Sequence, residues 1–259
     1  MESTTAAPVI LDSADGVAVI TLNRPTVRNA INLQAAEALA AALDTFEARD
    51  DLRAGVLTGA GGFFCAGMDL KAFSATGERP LTASRGAFGI VERPPVTPLI
   101  AAIEGPALGG GFEIALACDM IVAAESATFG LPEVGRGLVA AAGGVFRIAQ
   151  RLPRNLALEL VTTGARISAQ RAYAIGLVNL VVPDGEALSR ARELAARIAA
   201  GAPMAVAASK QIVIESADWS DAEAFGRQAP LISPVRESDD AKEGARAFVE
   251  KRPPVWTGR

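Results

Sequence analysis

The sequence predicts an α/β fold: a core of strand, glycine-rich loop and helix repeats, then an all-helical C-terminal region. Three observations lead there. Short β-branched runs end abruptly at Gly or Pro, apolar residues recur between them at helical spacing, and strands almost cease after about Ala141.

Val17 to Asn23 reads as a strand because it is β-branched and closed by Arg24-Pro25. Leu33 to Phe46 places Ala36, Leu39, Ala40, Leu43 and Phe46 on one helical face. Arg53 to Thr58 is a second strand and Pro98 to Ile103 a third. A helix from Gly110 to Cys118 and a strand from Met120 to Ala124 follow. Ser168 is placed to cap a helix through Ile175, with Gly176 at its C-terminal end. Val178 to Val182 is one more strand. Gly185–Ala200, Pro203–Ser216, Asp221–Ala229 and Asp239–Glu250 read as helices. Gly201-Ala202-Pro203 divides a core of residues 1–200 from a helical region of residues 201–259.

Composition narrows the chemistry. The 259 residues carry 25 Lys and Arg against 29 Asp and Glu, a net charge of −4, and are 5% aromatic. Nucleic acid is not the expected partner, since phosphate binding needs clustered positive charge. Met1 to Pro8 lacks the order of a signal sequence, and the apolar stretch Pro98–Ala124 is broken by Glu104, Glu113 and Asp119. With Cys65 and Cys118 in apolar runs, the expectation is a cytoplasmic protein without membrane contact or disulfides. There is no histidine. That removes Ser-His-Asp and Cys-His mechanisms and most zinc sites, so no metal is expected.

Three stretches carry possible chemistry: Phe64–Leu70, Gly109–Glu113 and Phe129–Glu133. In the first, Gly67 leaves the Met68 N–H exposed at a turn. In the second, glycines open a helix, where N–H groups lack partners and the dipole favours negative charge. Two such donors on one oxygen make an oxyanion hole. Each stretch has a plainer reading. The glycines serve equally as a tight turn, Glu113 as a first-turn acid, and Glu133 as a solvated loop residue; Phe64 and Phe129 read as core. Glu113, however, lies among Phe, Ile, Ala, Leu and Cys, where a carboxylate is costly unless paired or functional.

The three stretches in this order resemble the enoyl-CoA hydratase/isomerase superfamily, the crotonases. So do Arg24-Pro25 with Arg28-Asn29-Ala30, the Gly176-Leu177-Val178 region, and the ending Phe248–Arg259. The resemblance implies a spiral of repeated ββα units and a C-terminal helical region that builds homotrimers, or hexamers as dimers of trimers. It assigns the oxyanion donors to Met68 and Gly110 and the two acid–base positions of hydratases to Glu113 and Glu133. It places coenzyme A near Arg28, Ala30, Ala66, Asp69 and Leu70, with Lys251 adding a basic contact. Arg28 and Lys251 read equally well as surface charges.

The expected activity is addition of water to a trans-2-enoyl-CoA, with Glu113 as base and Glu133 as proton donor. The acyl-CoA thioester is the partner, and no separate cofactor is required. Met68–Phe73 is not the commonest wording of hydratases of fatty-acid oxidation. A carnitinyl-CoA dehydratase (crotonobetainyl-CoA hydratase) type or an enoyl-CoA isomerase therefore stands as the alternative. A non-catalytic acyl-CoA binder on the same fold is a further reading. From another class, Gly135–Ala140 with Glu159 loosely fits a dinucleotide fingerprint, which requires a strand directly before it.

Overall fold

A computed structural model describes residues 6–259; residues 1–5, part of the stretch read above as no signal sequence, lie outside the described residues. In chain order the elements begin with β1 (Val9–Ala14), β2 (Val17–Leu22), α1 (Leu33–Glu47), β3 (Ala54–Gly59) and α2 (Leu70–Thr76). Next come β4 (Leu81–Thr82), β5 (Gly86–Ala87), β6 (Leu99–Ile103), β7 (Pro106–Leu108), α3 (Gly110–Ala117), β8 (Met120–Ala124) and β9 (Thr128–Gly130). After α4 (Gly144–Arg151), α5 (Arg154–Thr163), β10 (Ile167–Ser168), α6 (Ala169–Ala174) and β11 (Leu180–Val182), the chain is helical. Those helices are α7 (Ala187–Ala199), α8 (Pro203–Glu215), α9 (Asp221–Glu237) and α10 (Asp239–Glu250).

The main sheet has the order β1-β2-β3-β6-β8-β11, with β1 antiparallel and every other pair parallel. Both its faces are covered, which explains the unbroken apolar runs. Leu99, Ala101 and Ile103 face one cluster, while Ile100 and Ala102 face another. Against that second face α7 lays Ala187, Ala191, Ala195 and Ala199, one every four residues, so helix and sheet approach closely.

A smaller sheet, β10-β9-β7, is extended by the single bridges Cys65↔Ala107 and Ile31↔Met68. Three strands of the main sheet thus each lead to an extended segment of the second layer and then to a helix. β6 leads to β7 and α3, β3 to Cys65–Met68 and α2, and β2 to Ile31 and α1. This is the ββα spiral. The turns between layers and helices emerge in one region, and the candidate residues other than Lys251 lie there.

Helix caps follow the residues. Asn32 accepts from Ala35 N at 3.0 Å to open α1, and Ser168 accepts from Arg171 N to open α6 as expected. The expectation for Asp221–Ala229 falls short, because α9 continues through Pro230 and Pro234 to Glu237. The two prolines are four residues apart, so their missing N–H bonds fall on one side and the other side remains intact. The strand expected from Val178 begins at Leu180.

The segment between Phe73 and Val96, which carries no signal in the sequence, is not a bare loop. It finishes α2, forms the β4–β5 hairpin, and buries Phe88, Ile90 and Val91 in the core. Its anchor is Arg85, fully buried, whose guanidinium meets Asp44 Oδ1 at 2.9 and 2.7 Å, Glu47 and the Arg93 carbonyl. A Cβ at Gly89 would fall 2.1 Å from the Ala36 carbonyl, so the segment lies directly on α1.

Replacing Arg85 by Met removes this anchor but leaves two carboxylates that water reaches in part. We expect a loss of about 2–3 kcal/mol, less than for a fully buried pair. Urea unfolding of the Arg85→Met variant at the parental midpoint would show the network to be dispensable.

Candidate active site

The site starts with two backbone turns in contact. Ile31 N donates to Gly67 O at 2.8 Å and Asp69 N donates to Ile31 O at 2.9 Å. These bonds use the groups on either side of Met68 and turn its own N–H away, as alternation along a strand requires. Gly109, at φ 54° and ψ −126°, turns the chain from β7 into α3. The Gly110 N–H is then the first donor of the helix, with no carbonyl four residues back inside it. Neither Met68 N–H nor Gly110 N–H donates to another group among the described residues.

The turns touch because neither carries a side chain. A Cβ at Gly67 would lie 3.1 Å from Gly110 N and 3.3 Å from Gly111 N, and one at Gly111 would lie 2.0 Å from Cys65 O. Gly67 itself has φ 88°, a conformation L side chains rarely adopt. Phe88 closes the other side: a Cβ at Gly110 would meet its ring at 2.3 Å. The two unpaired N–H groups therefore border one space beside Gly67.

Two carboxylates face the same region. Every residue of α3 is buried, and Glu113, 3% exposed, is its only charged side chain. Its Oε1 accepts from Gly144 N at 3.0 Å, the first N–H of α4, which is turned in by Gly143 at φ 94°. Burial holds the Glu113 carboxyl above its ordinary pKa. The Gly144 hydrogen bond opposes this and the neighbouring Glu133 adds to it. Glu133 stands in a short 3-10 helix, Pro132–Arg136. A Cβ at Gly109 would lie 2.9 Å from its Oε1, while its Oε2 is buried without a hydrogen-bond partner among the described residues. Burial raises the Glu133 pKa too, against the pull of its own backbone N–H and of Arg136. A buried, unpaired carboxylate oxygen is expensive in a structural residue and apt for a group that binds water or exchanges a proton.

Of the residues expected around coenzyme A, five cluster beside the Gly67–Met68 turn. Ala66 N donates to Arg28 O at 3.0 Å; Arg28 is exposed, with its guanidinium 5.6 Å from the Phe63 ring centroid. Leu70 is 59% exposed, and Ala30 is buried with its carbonyl taken by Arg24. Asp69 has its carboxylate committed, capping α2 through Ala72 N at 3.1 Å and pairing with Arg24 at 2.9 Å. Against the cost of burial, the Ala72 hydrogen bond and then Arg24 hold its pKa low. Lys251 caps α10, exposed and in a left-handed conformation, and no hydrogen bond or salt bridge ties it to this cluster among the described residues.

Sequence reasoning missed Gly144, Phe88 and Asn29. Asn29, fully buried at φ 54°, donates to Ala60 O and Phe63 O and so braces the turn before Cys65. The Gly143-Gly144 pair was the one available signal, a helix opening like Gly109-Gly110. Phe64 and Phe129 are core, as expected. Both cysteines are free and buried, and burial pushes each thiol up to about 12. The dinucleotide pattern finds no strand–turn–helix: Gly135 lies inside the 3-10 helix and Gly137 ends it in a left-handed turn.

Comparison with known proteins agrees with this geometry. A family profile described as enoyl-CoA hydratase/isomerase matches residues 12–259. An enoyl-CoA hydratase of Mycobacterium tuberculosis is 42% identical over 93% of each chain. A carnitinyl-CoA dehydratase of Salmonella enteritidis is 44% identical over 93% of this chain and 94% of that one. Among solved structures, an enoyl-CoA hydratase of Mycobacterium marinum superposes with a TM-score of 0.95 at 51% identity, covering 98% of this chain and all of that one. With the spiral fold, the twin N–H groups and the match over nearly the whole chain, the protein belongs to the enoyl-CoA hydratase/isomerase family.

Proposed function

We propose that the protein is an enoyl-CoA hydratase, adding water across a trans-2-enoyl-CoA double bond to give a 3-hydroxyacyl-CoA. The observation that carries this reading is the pair Glu113 and Glu133, held in one buried region beside the oxyanion turn, with Glu133 Oε2 unpaired. The thioester carbonyl accepts from Met68 N–H and Gly110 N–H, which withdraws electrons from the conjugated double bond. Water held between the carboxyls attacks C3, Glu113 takes its proton, and Glu133 delivers one to C2. Burial raises the pKa of both carboxyls, and the Glu133 charge raises that of Glu113 further, which favours a protonated donor beside an ionised base. The proton transfers and the polarisation all fall to these four groups, so the reaction calls for no cofactor beyond the coenzyme A of the substrate. Arg28, Ala30, Ala66, Asp69 and Leu70 wall the coenzyme, with Asp69 setting the start of α2 there. Lys251, exposed at the end of α10, is the basic residue proposed to add a contact to it.

The acyl group has a second reading, favoured by the 44% identity to a carnitinyl-CoA dehydratase. The same two carboxylates would then act on crotonobetainyl-CoA. An isomerase needs only one carboxylate, and the presence of both speaks for hydration.

Loss of enoyl absorbance with crotonyl-CoA tests the reading. Glu113→Gln and Glu133→Gln should each lower the rate by about 10²–10⁴-fold, and the double variant by much less than the product. Full activity in both variants would end the hydratase assignment, and full activity in Glu133→Gln alone would indicate an isomerase. A parent that prefers crotonobetainyl-CoA would establish the second reading.

The raised pKa values carry a stability signature. Each group stabilises the fold below its unfolded pKa and loses that contribution as pH rises through its higher folded value. The Tm of Glu133→Gln relative to the parent should therefore climb between acidic and mildly alkaline pH. A constant difference across that range would mean a solvated carboxylate.

Residues 201–259 are proposed as the assembly region. α8 and α9 bury no residue, while Val213, Ile214, Phe225, Phe248 and Val249 stand exposed. Apolar surface of this kind is covered by partners. Light scattering should show a homotrimer or a dimer of trimers; a stable monomer at micromolar concentration would refute this.

A further inference from the structure

The hydration chemistry leaves one charged side chain of the region without a task. Arg147, on α4, is half-buried, and its donors go to main-chain carbonyls instead of a carboxylate. Nη1 donates to Ala142 O at 3.4 Å and Nη2 to Val91 O, and the guanidinium carbon lies 5.0 Å from the Phe146 ring centroid. Arg151, one turn later, has a structural explanation, since it caps the C-terminal end of α3 through Leu116 O and Cys118 O. Arg147 has none of that kind.

Its placement bears on Glu113. A Cβ at Gly143 would lie 2.1 Å from Arg147 Nη1, and one at Gly144 would lie 3.1 Å from Glu113 Oε1. The cation and the carboxylate thus flank consecutive residues, the second of which supplies the N–H that holds Glu113. Val91 belongs to the segment whose Phe88 packs on Gly110. Arg147 therefore ties the loop behind Glu113 to the segment beside the oxyanion turn.

We propose that Arg147 is a positioning residue of the site, clamping Ala142 and Val91 so that Gly144 N–H aims at Glu113 while its positive charge stands beside that carboxylate. This rests on the hydratase reading. The charged groups around Glu113 are Glu133 on the 3-10 helix and Arg147 on α4. Behind them, Arg136 faces Glu133, and Arg151 and the buried Cys118 thiol face Arg147. Arg147 opposes the effect of burial on Glu113, so its removal raises the Glu113 pKa further, and a base that must be ionised then works only at higher pH.

The test compares Arg147→Met and Arg147→Lys by pH–rate profile with crotonyl-CoA and by 13C NMR titration of the glutamate carboxyls. The Met variant should lose roughly tenfold in kcat at neutral pH with little change in KM, the scale of a small misplacement. Its acidic limb and its Glu113 titration should move to higher pH. The Lys variant keeps the charge and loses the two-carbonyl fork, so its titration should stay parental while kcat falls. An unmoved Glu113 titration in the Met variant overturns the proposal, whatever its Tm. So does a Lys variant with parental kcat, which decides the matter should the Met variant not fold. A parent that hydrates no enoyl-CoA would sink the hydratase reading instead, and the titration would still judge the placement of Arg147.

Discussion

The structure depends on one contact between backbones, the approach of the Cys65–Met68 turn to the start of α3. Gly67 and Gly111 permit it, since a Cβ at either position would press on main-chain atoms of the other turn. Everything around it serves to keep the two turns pressed together. Arg24 reaches from the end of β2 to Asp69 and Ala30, and Asn29 ties the preceding turn. Phe88 accepts a left-handed conformation at φ 58° to lay its ring on Gly110. Such a conformation costs on the order of 1 kcal/mol, and it persists where the surroundings overdetermine it.

The second layer of organisation is electrostatic. Two helix N-termini point into the site: α3 leaves the Gly110 N–H free among the described residues, and α4 offers one to Glu113. Between them lie two carboxylates that burial makes reluctant to ionise. In a protein without histidine, moving glutamate out of water raises its pKa above the ordinary carboxylate value.

Much of this was legible in the residues. The strands at Val17, Ala54, Leu99 and Met120 and the helices at Leu33, Gly110 and Asp239 followed from periodicity and breakers, because sheet and helix bury apolar surface at fixed spacing. Glu113 stood out as a charge in an apolar helix. Glu133 did not, since its exposure is decided by packing against Gly109, distant in sequence. The Phe73–Val96 segment was opaque for a related reason: its order comes from Arg85 reaching Asp44 and Glu47 about forty residues earlier. The short strands β7, β9 and β10 escaped because two or three residues carry no period. The end read at Ala229 was wrong, since α9 runs on through Pro230 and Pro234 to Glu237.

The order of the main sheet has a kinetic consequence. Every parallel pairing from β2 to β11 joins segments separated by a loop, a second-layer strand or a helix, so none closes locally. Non-local parallel pairings carry loop-closure entropy before contacts reward it, which makes folding slow. The groups that meet at the site, from Ile31 through Met68 and Gly110 to Gly144, span most of these closures. Catalytic competence thus requires closures spread over most of the chain, with no part of the site assembled from one local segment.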